Sequence, residues 1–261
     1  MDYALVAITA LVVSGLTLFS GFGLGTVLMP AFALFFPVPT AIAATAVVHL
    51  ANNLFKAGLV GRQADWRVVT RFSVPAAIAA AFGASALVLF AGLPVLGSYE
   101  LLGRQHEVTA VKLAIGILIV GFALLELSPA FAALAIPPRY LVFGGLLSGF
   151  FGGLSGNQGA FRSAFLIKLG LSKQAFIATG VVSAVIVDTV RLAVYGASYV
   201  TASFEALPRE IAGVVIAATL AAFTGSYLGA QLLRKVTLRV VRIIVALTMV
   251  GVGAALAAGL I

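Results

Sequence analysis

The sequence predicts an all-α polytopic membrane protein of two inverted-topology repeats, each a broken or re-entrant helix pair followed by three transmembrane helices. Three observations carry the prediction. The chain is 62% hydrophobic and 9% charged, with a mean hydropathy of +1.18, whereas a soluble domain has roughly 25% charged residues. Two glycine-rich interruptions, SGFGLG at 20–25 and GGLSGNQG at 152–159, break apolar runs at corresponding places in the two halves. Matching segments also recur at an offset of 134 or 135 residues, a sign of repeat architecture.

At about 20 residues per span, 261 residues supply six to eight membrane segments. Residues 3–19 and 24–36 are two apolar pieces too short to span comfortably, and they read as a hairpin around the first glycine break. Residues 40–60 form the next segment, followed by GRQADWRVVTR with Arg62, Arg67 and Arg71. Segments 72–96 and 109–127 follow, joined by the mixed-charge loop 97–108. The first repeat is thus 1–127, and 128–139, carrying Arg139, is a cytoplasmic linker. The second repeat, 140–261, comprises the broken piece 140–169, the run 174–196, and the segments 210–233 and 240–261 around Arg234, Lys235, Arg239 and Arg242. MDYALVAITALVV lacks a basic n-region, so the first apolar segment is expected to stay.

Charge separates two topologies. If the broken pieces cross fully, the connection at Lys168 and Lys173 falls outside. If each enters and leaves on one side, every basic cluster becomes cytoplasmic, as the positive-inside rule favours, and the halves lie upside down relative to each other. The net charge of +8 is therefore topology rather than a nucleic-acid signal. There are no cysteines and two histidines, so thiolate chemistry and a histidine metal cluster are not expected. No cofactor is expected.

The repeat aligns AATAVV at 43–48 with IATGVV at 177–182, and Asn53 and Lys56 with Asp188 and Arg191. Each glycine break would expose unpaired backbone N–H groups and the positive end of a helix dipole, a setting for an anion. Ionisable residues inside a membrane cost roughly 2.5–3.5 kcal/mol each on insertion scales, which points to a polar cavity. The candidate anion-binding residues are Gly21, Gly23, Gly25, Asn52, Asn53, Lys56, Gly156, Asn157, Gln158, Arg162 and Arg191. Arg162 follows the second break and has no basic mate in the first half, and its guanidinium suits an oxyanion. Lys56 and Arg191 read either as snorkelling to headgroups or as catching the anion at the two mouths. Asp188, three residues before Arg191, reads as an ion-pair partner, with His49 and Asp188 as the candidates for proton coupling. GLSG at 153–156 also satisfies the GxSG of rhomboid intramembrane proteases, but no histidine follows Ser155 to activate it.

SGFGLGTVLMP with AATAVVHLANNLFK, GLSGNQGAFRSAFLI with IATGVVSAVIVDTVRLAVY, and the closing GSYLGAQLLRKV together resemble the sulfite exporter TauE/SafE family of membrane permeases. The resemblance implies an anion transporter of the bacterial cytoplasmic membrane that moves sulfite or small organosulfonates outward. It places the substrate at 20–25, 152–159 and the Ala-Thr pairs 44–45 and 178–179. Asn157 and Gln158 depart from the family's glycine-rich pattern. The expected function is export of such an anion by alternating access, with an anion channel, or a carrier of another carboxylate or oxyanion, as alternatives. The expected partners are a small anion and the lipid bilayer, without nucleic acid, and a homodimer is left open.

Overall fold

The structure, a computed structural model, describes residues 2–17, 24–132, 134, 136–200, 209–232 and 238–261. In chain order the first half gives α1 (Asp2–Thr17), α2 (Leu24–Ala33), α3 (Val38–Val60), α4 (Trp66–Ala91), strands β1 (Val95–Leu101) and β2 (Arg104–Thr109), and α5 (Ala110–Leu127). A single turn, α6 (Pro129–Ala132), leads to α7 (Leu141–Ser155), α8 (Gly159–Leu166), α9 (Lys173–Val200), α10 (Arg209–Leu232) and α11 (Leu238–Ala257). Among the described residues, four helices are long and apolar enough to cross a membrane: Val38–Gln63, Trp66–Ala91, Lys173–Ser198 and Ile211–Gly229.

Local chemistry sets the boundaries. The Asp65 carboxylate caps α4 by accepting from the N–H groups of Arg67 and Val68, and Thr109 caps α5 by accepting from Lys112 N–H. Helix α7 stops at Gly156, whose left-handed φ of 82° lets its N–H bond the Gly152 carbonyl. The chain then turns through Asn157 and Gln158 into α8, so the second expected break is present. The first falls between α1 and α2, where residues 18–23, including Gly21 and Gly23, lie outside the described residues.

The helical fold class holds, and one local expectation is corrected: the segment read as a loop, 97–108, belongs to an antiparallel hairpin of β1 and β2 that connects α4 to α5. Its turn residues Leu102 and Gly103 both have positive φ, 53° and 72°, the twist a two-residue hairpin requires.

Helix α4 packs on α7 and α1 packs on α10; α4 also meets α9, and α10 meets α3. Exchanging the halves at the sequence offset swaps the members of each of these two couples, and leaves the pairs α3–α9 and α5–α11 unchanged. Small residues bring the backbones together. A Cβ on Gly145, Gly149 or Gly153 of α7 would lie 2.2, 2.0 or 2.1 Å from the carbonyl oxygen of Phe72, Ala76 or Ala80 on α4. A Cβ on Gly225 of α10 would lie 2.0 Å from Leu11 O of α1. The opposite face of α4 exposes Val74, Ile78, Phe82 and Leu89, a surface suited to lipid rather than water. The resulting chain is a multi-pass membrane protein in which α3 packs on α9.

Candidate functional site

Helix α3 carries Thr45, His49, Asn52, Asn53 and Lys56, a helical spacing that lines the polar groups along one side of an otherwise aliphatic helix. Asn52, Asn53 and Lys56 are buried, as are Asn157, Gln158 and Arg162 near the second break and Asp188 and Arg191 on α9. In a low-dielectric interior such groups persist only when they partner one another or a ligand.

Asp188 is where the halves meet. Its Oδ2 lies 2.6 Å from His49 Nδ1 and accepts from Asn53 Nδ2 at 3.2 Å. Its Oδ1 accepts from Gln158 Nε2 at 3.2 Å and lies 2.9 Å from Arg191 Nη2. The last contact is a charge contact without hydrogen-bond alignment, since Arg191 Nη2 has no hydrogen-bond partner among the described residues. Arg191 Nη1 instead donates to the Gly152 carbonyl at 3.4 Å. A carboxylate only accepts, so the short contact with His49 requires the imidazole proton on Nδ1. Asn53, 3.1 Å from the same nitrogen, then directs its N–H to the carboxylate.

The second break packs on this centre. A Cβ on Gly156 would lie 2.7 Å from Arg191 Nη1, so only a glycine leaves room for the guanidinium there. Ser148 of α7 donates to the Gln158 carbonyl at 2.9 Å, and Tyr195 of α9 donates to the Gly153 carbonyl. Gln158 spans two charges, with Nε2 on Asp188 and Oε1 accepting from Arg162 Nη1 at 3.3 Å. The first half approaches at Gly25, where a Cβ would lie 3.5 Å from the Gly156 carbonyl oxygen and 3.8 Å from His49 Cδ2. The start of α2 therefore adjoins the second break and the edge of the imidazole.

The sequence candidates within the described residues thus fall on elements that pack around α3 and α9. The ion pair expected between Asp188 and Arg191 is present. Lys56 and Arg191, read either as snorkelling to headgroups or as catching the anion at the two mouths, are buried at 7% and 1% exposure, which does not fit snorkelling, and Arg191 is held by Asp188 and Gly152. Asn52 has a tie of its own, its Oδ1 accepting from Ser226 of α10 at 2.9 Å.

Several polar atoms here lack hydrogen-bond partners among the described residues: both amide atoms of Asn157, Asn52 Nδ2 and Thr45 Oγ1. Each such buried group costs roughly 1–3 kcal/mol, a cost a bound ligand removes. Sequence reasoning on single residues missed Tyr195; its place seven residues after Asp188, on the same side of α9, was the available signal. Ser155 donates to Phe151 O of its own helix at 3.1 Å, while His106 stacks on Tyr99 in the hairpin, so neither histidine attends the GxSG serine. No group of three or more potential metal ligands occurs among the described residues.

Residues 4–256 match the family model described as sulfite exporter TauE/SafE. No curated protein matches the chain.

Proposed function

Because the chain belongs to the sulfite exporter TauE/SafE family, whose members are membrane transporters of sulfite or related anions, we propose that it exports sulfite or a small organosulfonate by alternating access. The membrane would be the bacterial cytoplasmic membrane. One observation carries the reading: both side-chain amide atoms of Asn157, at the second glycine break, are buried with no hydrogen-bond partner among the described residues. A bound ligand would remove that cost. The buried cations Arg162 and Lys56 and the start of α8 suit an anion as that ligand.

The binding residues proposed are Arg162, Lys56, Asn157 and Gln158, with Asn52, Asn53, Gly25 and Gly156 shaping the site and Arg191 holding Asp188. Gly21 and Gly23 belong to the same proposal through the first glycine motif. The exchange of helix pairs between the halves supports two repeats, and the basic loops support their inversion, with those loops in the cytoplasm. The chain acts as a carrier rather than an enzyme in this reading. Outward movement of an anion is aided by an inside-negative potential, at about 2.3 kcal/mol per charge per 100 mV.

Ligand-induced stabilisation tests the proposal. A ligand that binds only the folded protein at a hundred times its Kd stabilises it by about 2.7 kcal/mol, so sulfite or sulfoacetate is expected to raise Tm of the detergent-purified protein while chloride does not. No shift with either anion contradicts the assignment. The short His49–Asp188 contact favours proton coupling as a second reading, tested by transport that responds to a pH gradient at clamped potential.

A further inference from the structure

We propose that the outer face of α4 holds an anionic phospholipid, its phosphate between Arg67 and Arg71 and an acyl chain along Val74, Ile78 and Phe82. The proposal is independent of the anion-transport reading. These five residues are all exposed and follow one another at steps of four and three residues, so they form a single stripe along the helix. The rest of the helix is occupied: Phe72, Ala76 and Ala80 meet the glycines of α7, and Ser73 bonds Ser183 of α9. Nothing among the described residues covers the stripe, whose Val74, Ile78 and Phe82 are 59%, 56% and 68% exposed.

Both guanidiniums are available to a ligand. Neither has a hydrogen-bond or ion-pair partner among the described residues, and the nearby acid, Asp65, uses its Oδ1 to accept from the backbone N–H groups of Arg67 and Val68. Residues four apart on a helix are neighbours, about 5–6 Å between Cβ atoms, so the two forks can bracket one phosphate. A water-soluble phosphate would need only these two arginines; the apolar stripe that continues from them is what fits a lipid. The rise from Arg71 to Phe82 is about 16 Å at 1.5 Å per residue, close to one leaflet of a hydrocarbon core roughly 30 Å thick. Trp66, 60% exposed at the start of α4, fits the headgroup level, where aromatic side chains collect.

The test compares phosphatidylglycerol with zwitterionic phosphatidylcholine carrying the same chains. Binding to the delipidated full chain in detergent is read by native mass spectrometry, with Tm measured alongside. The expected result is at least tenfold stronger binding of phosphatidylglycerol. Arg67→Gln with Arg71→Gln should bring the ratio towards one with Tm in the absence of lipid unchanged, while Arg67→Lys with Arg71→Lys retains the preference. Arg139 is the control for general attraction to headgroups. Helices α4 and α7 run side by side in the same direction, Phe72, Ala76 and Ala80 against Gly145, Gly149 and Gly153, so the exposed Arg139 lies near the same membrane level. Arg139→Gln should leave the ratio as it was. Equal binding of the two lipids by the unmodified protein overturns the proposal, as does a preference that survives loss of both arginines or falls as far in Arg139→Gln. Displacement of phosphatidylglycerol by equimolar glycerol phosphate also overturns it, because the arginines would then hold a phosphate without the chain.

Discussion

His49 Nδ1 lies 2.6 Å from Asp188 Oδ2, and this contact joins α3 of the first half to α9 of the second. The two residues are not repeat mates: the mate of Asp188 is Asn53, which donates to the same carboxylate oxygen. The centre of the molecule is thus asymmetric in charge although its helices pair symmetrically. That asymmetry leaves one carboxylate to organise several donors.

Removing that carboxylate's charge strands Arg191. Breaking one member of a buried pair typically costs about 3–5 kcal/mol, whereas replacing both members is often near neutral. Asp188→Asn is expected to lower stability by that order in detergent unfolding, and Asp188→Asn with Arg191→Gln to recover most of it. Equal stability of Asp188→Asn and the unmodified protein would contradict the central role of the carboxylate.

Close helix approach gives a second prediction. Alanine at Gly149 or Gly225 places a Cβ 2.0 Å from a neighbouring carbonyl oxygen, so each substitution should destabilise by about 1–3 kcal/mol through overpacking. Gly121→Ala meets nothing within 4 Å and should be neutral or slightly stabilising, since alanine favours the helix. Unfolding curves for the three variants check the order.

Gly156 combines two demands. Alanine there incurs roughly 1–2 kcal/mol of left-handed strain and also meets the Arg191 guanidinium, whereas Gly170, with φ of 69°, has open space around it. Gly156→Ala is expected to lose anion binding. Gly170→Ala should show similar strain with binding retained, and loss of binding in both would assign the effect to strain alone.

Much of this was legible in the sequence because a membrane penalises irregularity. Predicted segments such as 40–60, 174–196 and 210–233 lie within α3, α9 and within a residue of α10, since long apolar runs bounded by charge leave few alternatives. The break at Gly156 and the pairing of Asp188 with Arg191 followed from glycine clustering and three-residue spacing. The hairpin did not, because its turn places Leu102 at positive φ, where asparagine or glycine is the usual signal. Nor did the burial of Lys56 and Arg191: a cation near a helix end ordinarily snorkels outward, and only the packing of other helices shows that these two are enclosed. The bridging position of Gln158 depends on a fold that brings α8 and α9 together.

The most direct test of the account is sulfite flux into liposomes reconstituted with the purified protein at a clamped membrane potential, with Arg162→Ala beside the unmodified chain. The account predicts saturable flux, inhibited by sulfoacetate and reduced at least tenfold by Arg162→Ala in protein that remains folded. Linear, unsaturated flux would indicate a channel, and full activity in the Arg162→Ala variant would contradict the assignment of the anion site.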